Sequence, residues 1–205
     1  MAGTMPHAVF VETGLDGDGT VAAYAAELPG CATFAPTDDE AVSAIPRRVR
    51  GFMAWLRRNG EDATDFVGDN WYEVERAAAS DDGQGRAVFT LDELPPSDAE
   101  WERWTRWLEL AREELAEAID KAGTDTVSAD PLLAAIAAQD QRLTAELGAR
   151  TVALPGEPME ALYVARDALT EALDASGPSG AHVRRAFRLA IADDLRLAER
   201  HGGEA

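Results

Sequence analysis

The 205-residue sequence has little cysteine and histidine, a single lysine and no long apolar run. Cys31 is its only cysteine, which excludes a disulfide framework or a cysteine-based structural zinc site and fits a reducing compartment. No apolar stretch approaches the roughly 18 residues that a membrane-spanning helix needs, and no signal-peptide pattern is visible. These absences predict a cytoplasmic protein.

Positive charge is scarce as well. The chain has 38 acidic and 19 basic side chains, which gives a formal net charge of -19. Nucleic-acid affinity depends on Lys and Arg neutralising phosphates, so this balance disfavours a nucleic-acid partner and favours a protein partner. The arginines cluster only locally, at 47–50, 57–58 and 184–185, and the first two groups are interpreted as a solvated helix face.

The first ninety residues have the pattern of a small sheet. Two apolar segments flank "GLDGDG", whose Asp-Gly pairs favour a hairpin turn over a calcium loop at Asp16 and Asp18. A short segment after Pro-Gly predicts a third strand, and two later segments predict further strands or an extended pair. The strand candidates are 7–13, 20–28, 31–35, 70–80 and 85–91.

One helix interrupts this sheet pattern. Thr37 and Glu40 match a capping box, which predicts a helix beginning there. Pro46 cannot donate a helical hydrogen bond, so a kink or a restart is expected next to it. Apolar residues with helical spacing predict the face that covers the sheet, and these are Val42, Ile45, Val49, Phe52 and Leu56.

Cys31 follows the Pro-Gly corner and has two interpretations. A reactive thiol needs a neighbouring imidazole, cation or helix N-terminus to lower its pKa, and His7 is the only histidine of this half. A small apolar strand residue is the interpretation we favour, because unpaired cysteine is commonly buried and inert.

Two prolines in "DELPPS" (92–97) predict a domain boundary, with an α/β domain over 1–93 and a helical domain over 98–205. Ser97 is positioned to cap the first helix of the second domain, in which three tryptophans (101, 104 and 107) predict core packing rather than a cofactor site. Three more helices are predicted at 130–147, 157–175 and 179–200. Four helices with short links predict a four-helix bundle, and the whole chain an α+β fold.

The stretch "VAAYAAELPGCATFAPTDDEAVSAI" resembles the HicB-like antitoxin domain, through its Leu-Pro-Gly-Cys corner followed by an acidic capped helix. The resemblance covers about residues 7–58 and implies a small, partly open, double-stranded-RNA-binding-like sheet that carries one or two helices. HicB antitoxins also have a DNA-binding helix-turn-helix or ribbon-helix-helix, which does not appear here.

The stretch "FTLDELPPSDAEWERWTRWLELAREELAEAID" is similar to the first helix of a DinB-like bundle. That resemblance implies a bacterial homodimer, and in many relatives a divalent metal held by three histidines, one on the second helix and a pair four residues apart on the last. This chain departs from the pattern, because its histidines are His7, His182 and His201. A metal site of the family type is therefore not expected.

Charged residues nevertheless lie on the apolar stripes of the last three helices. Asp140, Arg166 and Asp194 each occupy a position at which the helical spacing predicts burial, and His201 falls on the same side as Asp194. Buried charges are costly unless they are paired. One interpretation is a structural ion-pair network of Asp140, Arg166 and Asp194; the other is a divalent-metal site formed by Asp140, Asp194 and His201.

Three functions follow from these patterns. The favoured hypothesis is a non-enzymatic or degenerate protein without a cofactor or catalytic residue, whose HicB-like domain binds a partner and whose bundle dimerises. The first alternative is a DinB-like metal-dependent hydrolase or thiol S-transferase. The second is an antitoxin-like protein that binds a basic toxin through its acidic surface.

Overall fold

The computed structural model describes residues 7–15, 19–62, 71–79 and 86–202. The chain divides into two compact units, Met1–Leu91 and Asp92–Ala205, called here the sheet unit and the helical unit. Within the described ranges there is one four-stranded mixed sheet and there are six α-helices, which confirms the α+β class. No helix in this part of the chain combines the length and the apolar character that crossing a membrane requires.

The sheet has the strand order β3-β2-β1-β4. β1 pairs antiparallel with β2 and parallel with β4, and β2 pairs antiparallel with β3. The first three strands confirm the predicted hairpin and third strand, while Asp16 and Asp18 lie outside the described residues. The strands are β1 (His7–Leu15), β2 (Thr20–Ala25), β3 (Ala32–Ala35) and β4 (Trp71–Ala78).

Strand alternation gives the sheet two different faces. Ala23 pairs with Thr33 across β2 and β3, and the Thr33 hydroxyl donates to the Ala41 carbonyl of α1 (Asp38–Arg58) at 2.7 Å. That face therefore carries the helix. On the opposite face Phe10 stacks on Phe89, with ring centroids 4.6 Å apart, so the segment 86–89 covers part of it.

Helix α1 begins as its sequence predicts. The Thr37 side chain accepts from the Glu40 amide at 3.3 Å, and the buried side includes Ile45, Val49 and Leu56. The restart expected near Ala44 and Ile45 is wrong, because a single helix continues through Pro46 from Asp38 to Arg58; the alternative of a kink stays a prediction. Burial of Ile45 and Val49 on either side of the proline offsets the one hydrogen bond that it cannot donate.

The prediction of a strand at 85–91 is wrong. Residues 86–89 have no regular secondary structure, and Thr90–Glu93 form a short 3-10 helix. The segment is held by side chains: the Ala87 amide donates to Glu12 Oε1 at 2.6 Å, and the Thr90 amide donates to Glu75 Oε1 at 3.0 Å. Because carboxylates take these amides, no strand ladder forms there.

The helical unit has four long helices and one short one. Ser97 and Glu100 form the complete capping box that starts α2. Helix α2 packs along α6, and α4 packs along α5. Side chains from all five helices share one apolar core, which includes Leu115, Val127, Ile136, Leu162 and Leu197. The helices are α2 (Asp98–Ala122), α3 (Thr124–Ser128), α4 (Pro131–Glu146), α5 (Pro158–Ser176) and α6 (Val183–Gly202).

Helix α6 is the most enclosed element of the helical unit. Every residue from 185 to 195 is buried, including Arg185, Arg188, Asp193 and Asp194. A helix that is buried on all sides must pair each of its charges with a neighbour. The charged side chains of α6 therefore form much of the polar interior of this unit.

Candidate functional site

Four charged side chains from four helices meet inside the helical unit. They are Arg112 of α2, Asp140 of α4, Arg166 of α5 and Asp194 of α6, and they are called the buried charge cluster. Asp140, Arg166 and Asp194 are 2%, 6% and 1% exposed. Each of these three lies on the apolar stripe of its own helix, so helix packing brings them together.

Arg166 is the centre of the cluster. Its Nη2 donates to Asp194 Oδ1, and its Nε lies 3.9 Å from Asp140 Oδ2. One guanidinium thus faces carboxylates from both neighbouring helices. A planar group with five donors can serve two anions at once, which a lysine ammonium at this position would do less well.

Arg112 reaches the same region from α2. Its Nη1 donates to the Thr170 hydroxyl, its Nη2 donates to the Arg166 carbonyl at 3.4 Å, and its Nε lies 3.9 Å from Asp194 Oδ2. The Thr170 hydroxyl in turn donates to the Arg166 carbonyl at 2.8 Å. Arg112 is therefore tied to α5 by hydrogen bonds and to α6 by charge.

Asp140 is the least satisfied member of the cluster. Its Oδ2 has no hydrogen-bond partner among the described residues, although the side chain is buried. Burial raises the pKa of Asp140 to about 7; the charge of Arg166 opposes this rise, that of Asp193 adds to it and that of Arg112 opposes it. Asp140 therefore gains and loses a proton near neutral pH.

Burial acts on the arginines in the opposite direction. It lowers the pKa of Arg166 to about 10, against the raising effect of the Asp140 charge, and it lowers the pKa of Arg112. A pKa of about 10 keeps Arg166 charged at neutral pH. The cluster thus holds a permanent cation beside a carboxylate that titrates.

His201 lies in a different cluster. Its Nε2 is 3.0 Å from Asp130 Oδ2, and Arg200 Nε donates to the same oxygen at 2.8 Å. Seven residues of α6 separate it from Asp194, or about 10 Å along the helix axis. The structure therefore brings Asp140, Arg166 and Asp194 together but does not bring His201 to them. In the described ranges no group of three or more His, Cys, Asp or Glu side chains could hold a metal ion.

Cys31 lies in the sheet unit, immediately before β3. It is fully buried and is not disulfide-bonded. His7 Nδ1 lies 3.0 Å from Glu27 Oε2, and the His7 ring stacks on Trp71 with centroids 4.5 Å apart. Burial of Cys31 agrees with the interpretation as a small apolar residue, and a buried thiol is poorly placed to attack a substrate.

The sheet unit has a buried charge of its own at Glu12, which is 0% exposed. Its carboxylate accepts from the Tyr24 hydroxyl at 2.8 Å, from Arg86 Nε at 3.2 Å and from the Ala87 amide at 2.6 Å. We call these residues the Glu12 network. Because its donors lie on β2 and on the segment 86–89, the network fastens that segment to the open face of the sheet.

Sequence reasoning missed Arg112, Asp193 and the whole Glu12 network. Arg112 directly follows Ala111, a member of the apolar stripe of α2, so it flanks the buried side without lying on it. Its spacing alone could not separate it from a solvated arginine. Glu12 did carry a signal, since it is a lone charge in an apolar strand, but its partner Arg86 is 74 residues away.

Comparisons with known proteins do not assign this chain to a family. No protein-family model, no curated protein and no solved structure gives a significant match. The buried charge cluster is therefore interpreted from its own geometry.

Proposed function

We propose that this chain is a non-enzymatic binding protein, in which a HicB-like sheet unit contacts a protein partner and a DinB-like helical unit holds two copies together. Two features of the sheet unit support this proposal. Its small sheet carries α1 on one face, and α1 is an acidic, capped helix that comes soon after the Pro-Gly corner. The helical unit supports it through four long helices around one core.

The observation that carries the proposal is the position of Arg166. Its guanidinium faces the carboxylates of Asp140 and Asp194, where a metal centre between these helices would place its cation. A fixed positive charge repels a divalent metal ion, and it pairs with the carboxylates that would otherwise bind the metal. The Oδ2 atoms of Asp140 and Asp194 have no hydrogen-bond partner among the described residues, and His201 contacts Asp130 rather than either of them.

A divalent metal therefore does not fit the buried charge cluster, and we derive no reaction from one. Asp140 titrates near neutral pH, but its side chain is buried and poorly placed to reach a substrate. A pocket open to solvent lies in the sheet unit and is lined by residues that include Val21, Thr37 and Asp39. The cluster has the chemistry of an internal ion pair that fixes the relative positions of α4, α5 and α6.

Metal analysis of the purified full-length chain tests this role. We expect no stoichiometric divalent metal, no change of melting temperature with a chelator, and a lower melting temperature in Arg166→Met. Two results would instead support the metal-dependent alternative. The wild type would contain stoichiometric metal that Asp140→Asn lacks, and a chelator would lower the melting temperature of the wild type. Arg106→Met, an exposed arginine on α2, is the matched control.

A second candidate is antitoxin-like binding of a basic protein. The net charge of -19 favours it, because an acidic surface speeds and orients encounters with a basic partner. Pull-down with the chain as bait, repeated at low and high salt, tests it. A basic protein that is retained at low salt and released at high salt is the expected result.

A further inference from the structure

Helix α1 exposes a row of arginines in an otherwise acidic chain. The arginine stripe consists of Arg47, Arg50, Arg57 and Arg58, all exposed and all on the helix side that faces away from the sheet. Gly51 and Ala54 lie between the two arginine pairs on the same side and are exposed too. Their spacing of three, four and seven residues places these positions on one helix face.

Three members of the stripe carry unused positive charge. The side chains of Arg47, Arg57 and Arg58 form no ion pair within the described ranges. Between the two arginine pairs the helix surface has only small side chains, because Ala54 ends at Cβ and a Cβ added at Gly51 would meet no atom within 4 Å. A second helix could therefore approach closely in the middle, with arginines at both ends.

Helix α2 exposes a face of the opposite charge. The acidic stripe consists of Glu102, Glu109, Glu113, Glu117 and Asp120, all exposed. Glu109 pairs with Arg106 at 3.2 Å and Glu117 with Lys121 at 3.9 Å, whereas Glu102, Glu113 and Asp120 form no ion pair in the part of the chain described. Ala116 leaves a low position on this face as well.

The two stripes share one interval. Eleven residues separate Arg47 from Arg58, and eleven separate Glu102 from Glu113, which is about 16 Å along either helix. We propose that the arginine stripe of one copy docks on the acidic stripe of a second copy of this chain. The proposal deepens the binding role given above and rests on it.

A second copy fits the stripe better than a nucleic acid does. The chain around the stripe has a net charge of -19, which repels a phosphate backbone over its whole length. The acidic stripe presents two carboxylates, Glu102 and Glu113, at the eleven-residue interval of Arg47 and Arg58. Like charges face each other in any other pairing of these two stripes, so the contact is also selective.

Charge reversal of each stripe in the full chain tests the contact. One variant carries Arg47→Glu, Arg57→Glu and Arg58→Glu; the other carries Glu102→Arg, Glu109→Arg and Glu113→Arg. Light scattering during size-exclusion chromatography should show a wild-type dimer. Each variant alone should dimerise with an affinity at least about tenfold lower, because attractions between the stripes become repulsions. A one-to-one mixture of the two variants should recover the dimer.

Arg150→Glu is the control, since Arg150 is exposed in the loop before α5 and forms no ion pair among the described residues. It should keep the wild-type mass, and circular dichroism should show that all variants fold. A monomeric wild type, a reversed variant that keeps the wild-type mass, or a mixture that stays monomeric would overturn the proposal. Oligonucleotide binding is measured for the wild type and for the arginine variant. If the wild type binds an oligonucleotide and the arginine variant does not, with the same mass for both proteins, the proposal is overturned in favour of a nucleic acid. A monomeric wild type would also contradict the dimer of the proposed function, whereas a reversed variant that keeps the wild-type mass would overturn this contact alone. Metal content is measured separately and tests the non-enzymatic role.

Discussion

The sheet unit and the helical unit each bury acidic side chains, and they satisfy them differently. Glu12 accepts from a hydroxyl, a guanidinium and a backbone amide, whereas Asp140 has an oxygen without a hydrogen-bond partner in the described ranges and lies 3.9 Å from its nearest cation. Both carboxylates are almost completely buried. Burial alone therefore does not decide the behaviour of a charge; the donors around it do.

This difference has a structural origin. Glu12 lies on a strand whose open face is covered by an irregular segment, and the Arg86 guanidinium and the Ala87 amide of that segment donate to its carboxylate. Asp140 lies between helices, whose amides are already used in their own hydrogen bonds. Only side chains can serve Asp140, and Arg166 donates to Asp194 instead. The helical unit thus keeps a carboxylate that is sensitive to pH.

The largest effect is expected from Arg166→Met. Removal of the guanidinium leaves Asp140 and Asp194 buried without their central cation, which should lower the free energy of unfolding by about 3–5 kcal/mol at neutral pH. Urea unfolding measures the change. Addition of Asp140→Asn and Asp194→Asn should recover part of the loss, whereas an unchanged midpoint for Arg166→Met would show that the cluster contributes nothing to stability.

Removal of the satisfied carboxylate should have the next largest effect. Glu12→Ala leaves Arg86 and the Ala87 amide without their acceptor and should cost about 3 kcal/mol, because three hydrogen bonds and a buried ion pair disappear. Hydrogen exchange should accelerate at the Ala87 amide in particular. If that amide exchanges as in the wild type, the Glu12 network does not hold the segment 86–89.

An effect that appears only as the pH rises is expected from the titration of Asp140. Its pKa in the folded chain is raised to about 7 from an ordinary value of 3.8, so the folded state holds the proton more tightly than the unfolded state. The contribution of this group is therefore fully present below pH 4 and is lost as the pH rises through about 7. Asp140→Asn removes this dependence.

We expect Asp140→Asn to be more stable than the wild type at pH 8 by up to about 4 kcal/mol, which is the linkage value of a pKa raised from 3.8 to about 7, and close to it at pH 4. Thermal unfolding of both proteins at a series of pH values measures the difference. A constant difference at all pH values would show that Asp140 does not titrate in this window. Asp125→Asn, which replaces an exposed aspartate on α3, is the matched control.

The smallest effect is expected at the surface of the sheet unit. Glu27 lies 3.0 Å from His7 Nδ1, but its side chain is 51% exposed. Glu27→Ala should change the free energy of unfolding by less than about 0.5 kcal/mol, because water screens the pair. A loss as large as that of Glu12→Ala would remove the distinction between buried and exposed carboxylates in this unit.

Helical periodicity allowed much of the cluster to be predicted. Asp140, Arg166 and Asp194 interrupt apolar stripes at three- and four-residue spacing, so burial of each followed from local pattern alone. His201 shared the stripe of Asp194, yet two helical turns separate them, and it contacts Asp130 instead. Periodicity identifies which face of a helix a residue lies on, but not which residues of neighbouring helices lie at the same level along the helix axis.

Strand pairing was predictable only over short separations. β1 and β2 pair antiparallel and are close along the chain, and β3 follows β2 within a few residues. The parallel pairing of β4 with β1 joins residues more than sixty positions apart, and the irregular course of 86–89 depends on Glu12. Such contacts depend on the packing of the whole unit, which no local window contains.

Local sequence patterns account for the capped helices, the hairpin, the acidic charge balance and the inner positions of three charged residues. These follow from interactions between residues that are close along the chain. Which charges meet depends on the packing of distant segments. Arg166 donates to Asp194 and leaves an oxygen of Asp140 without a partner in the described ranges, while Glu12 accepts from three donors, because the energy of a buried charge depends on neighbours that are distant in sequence.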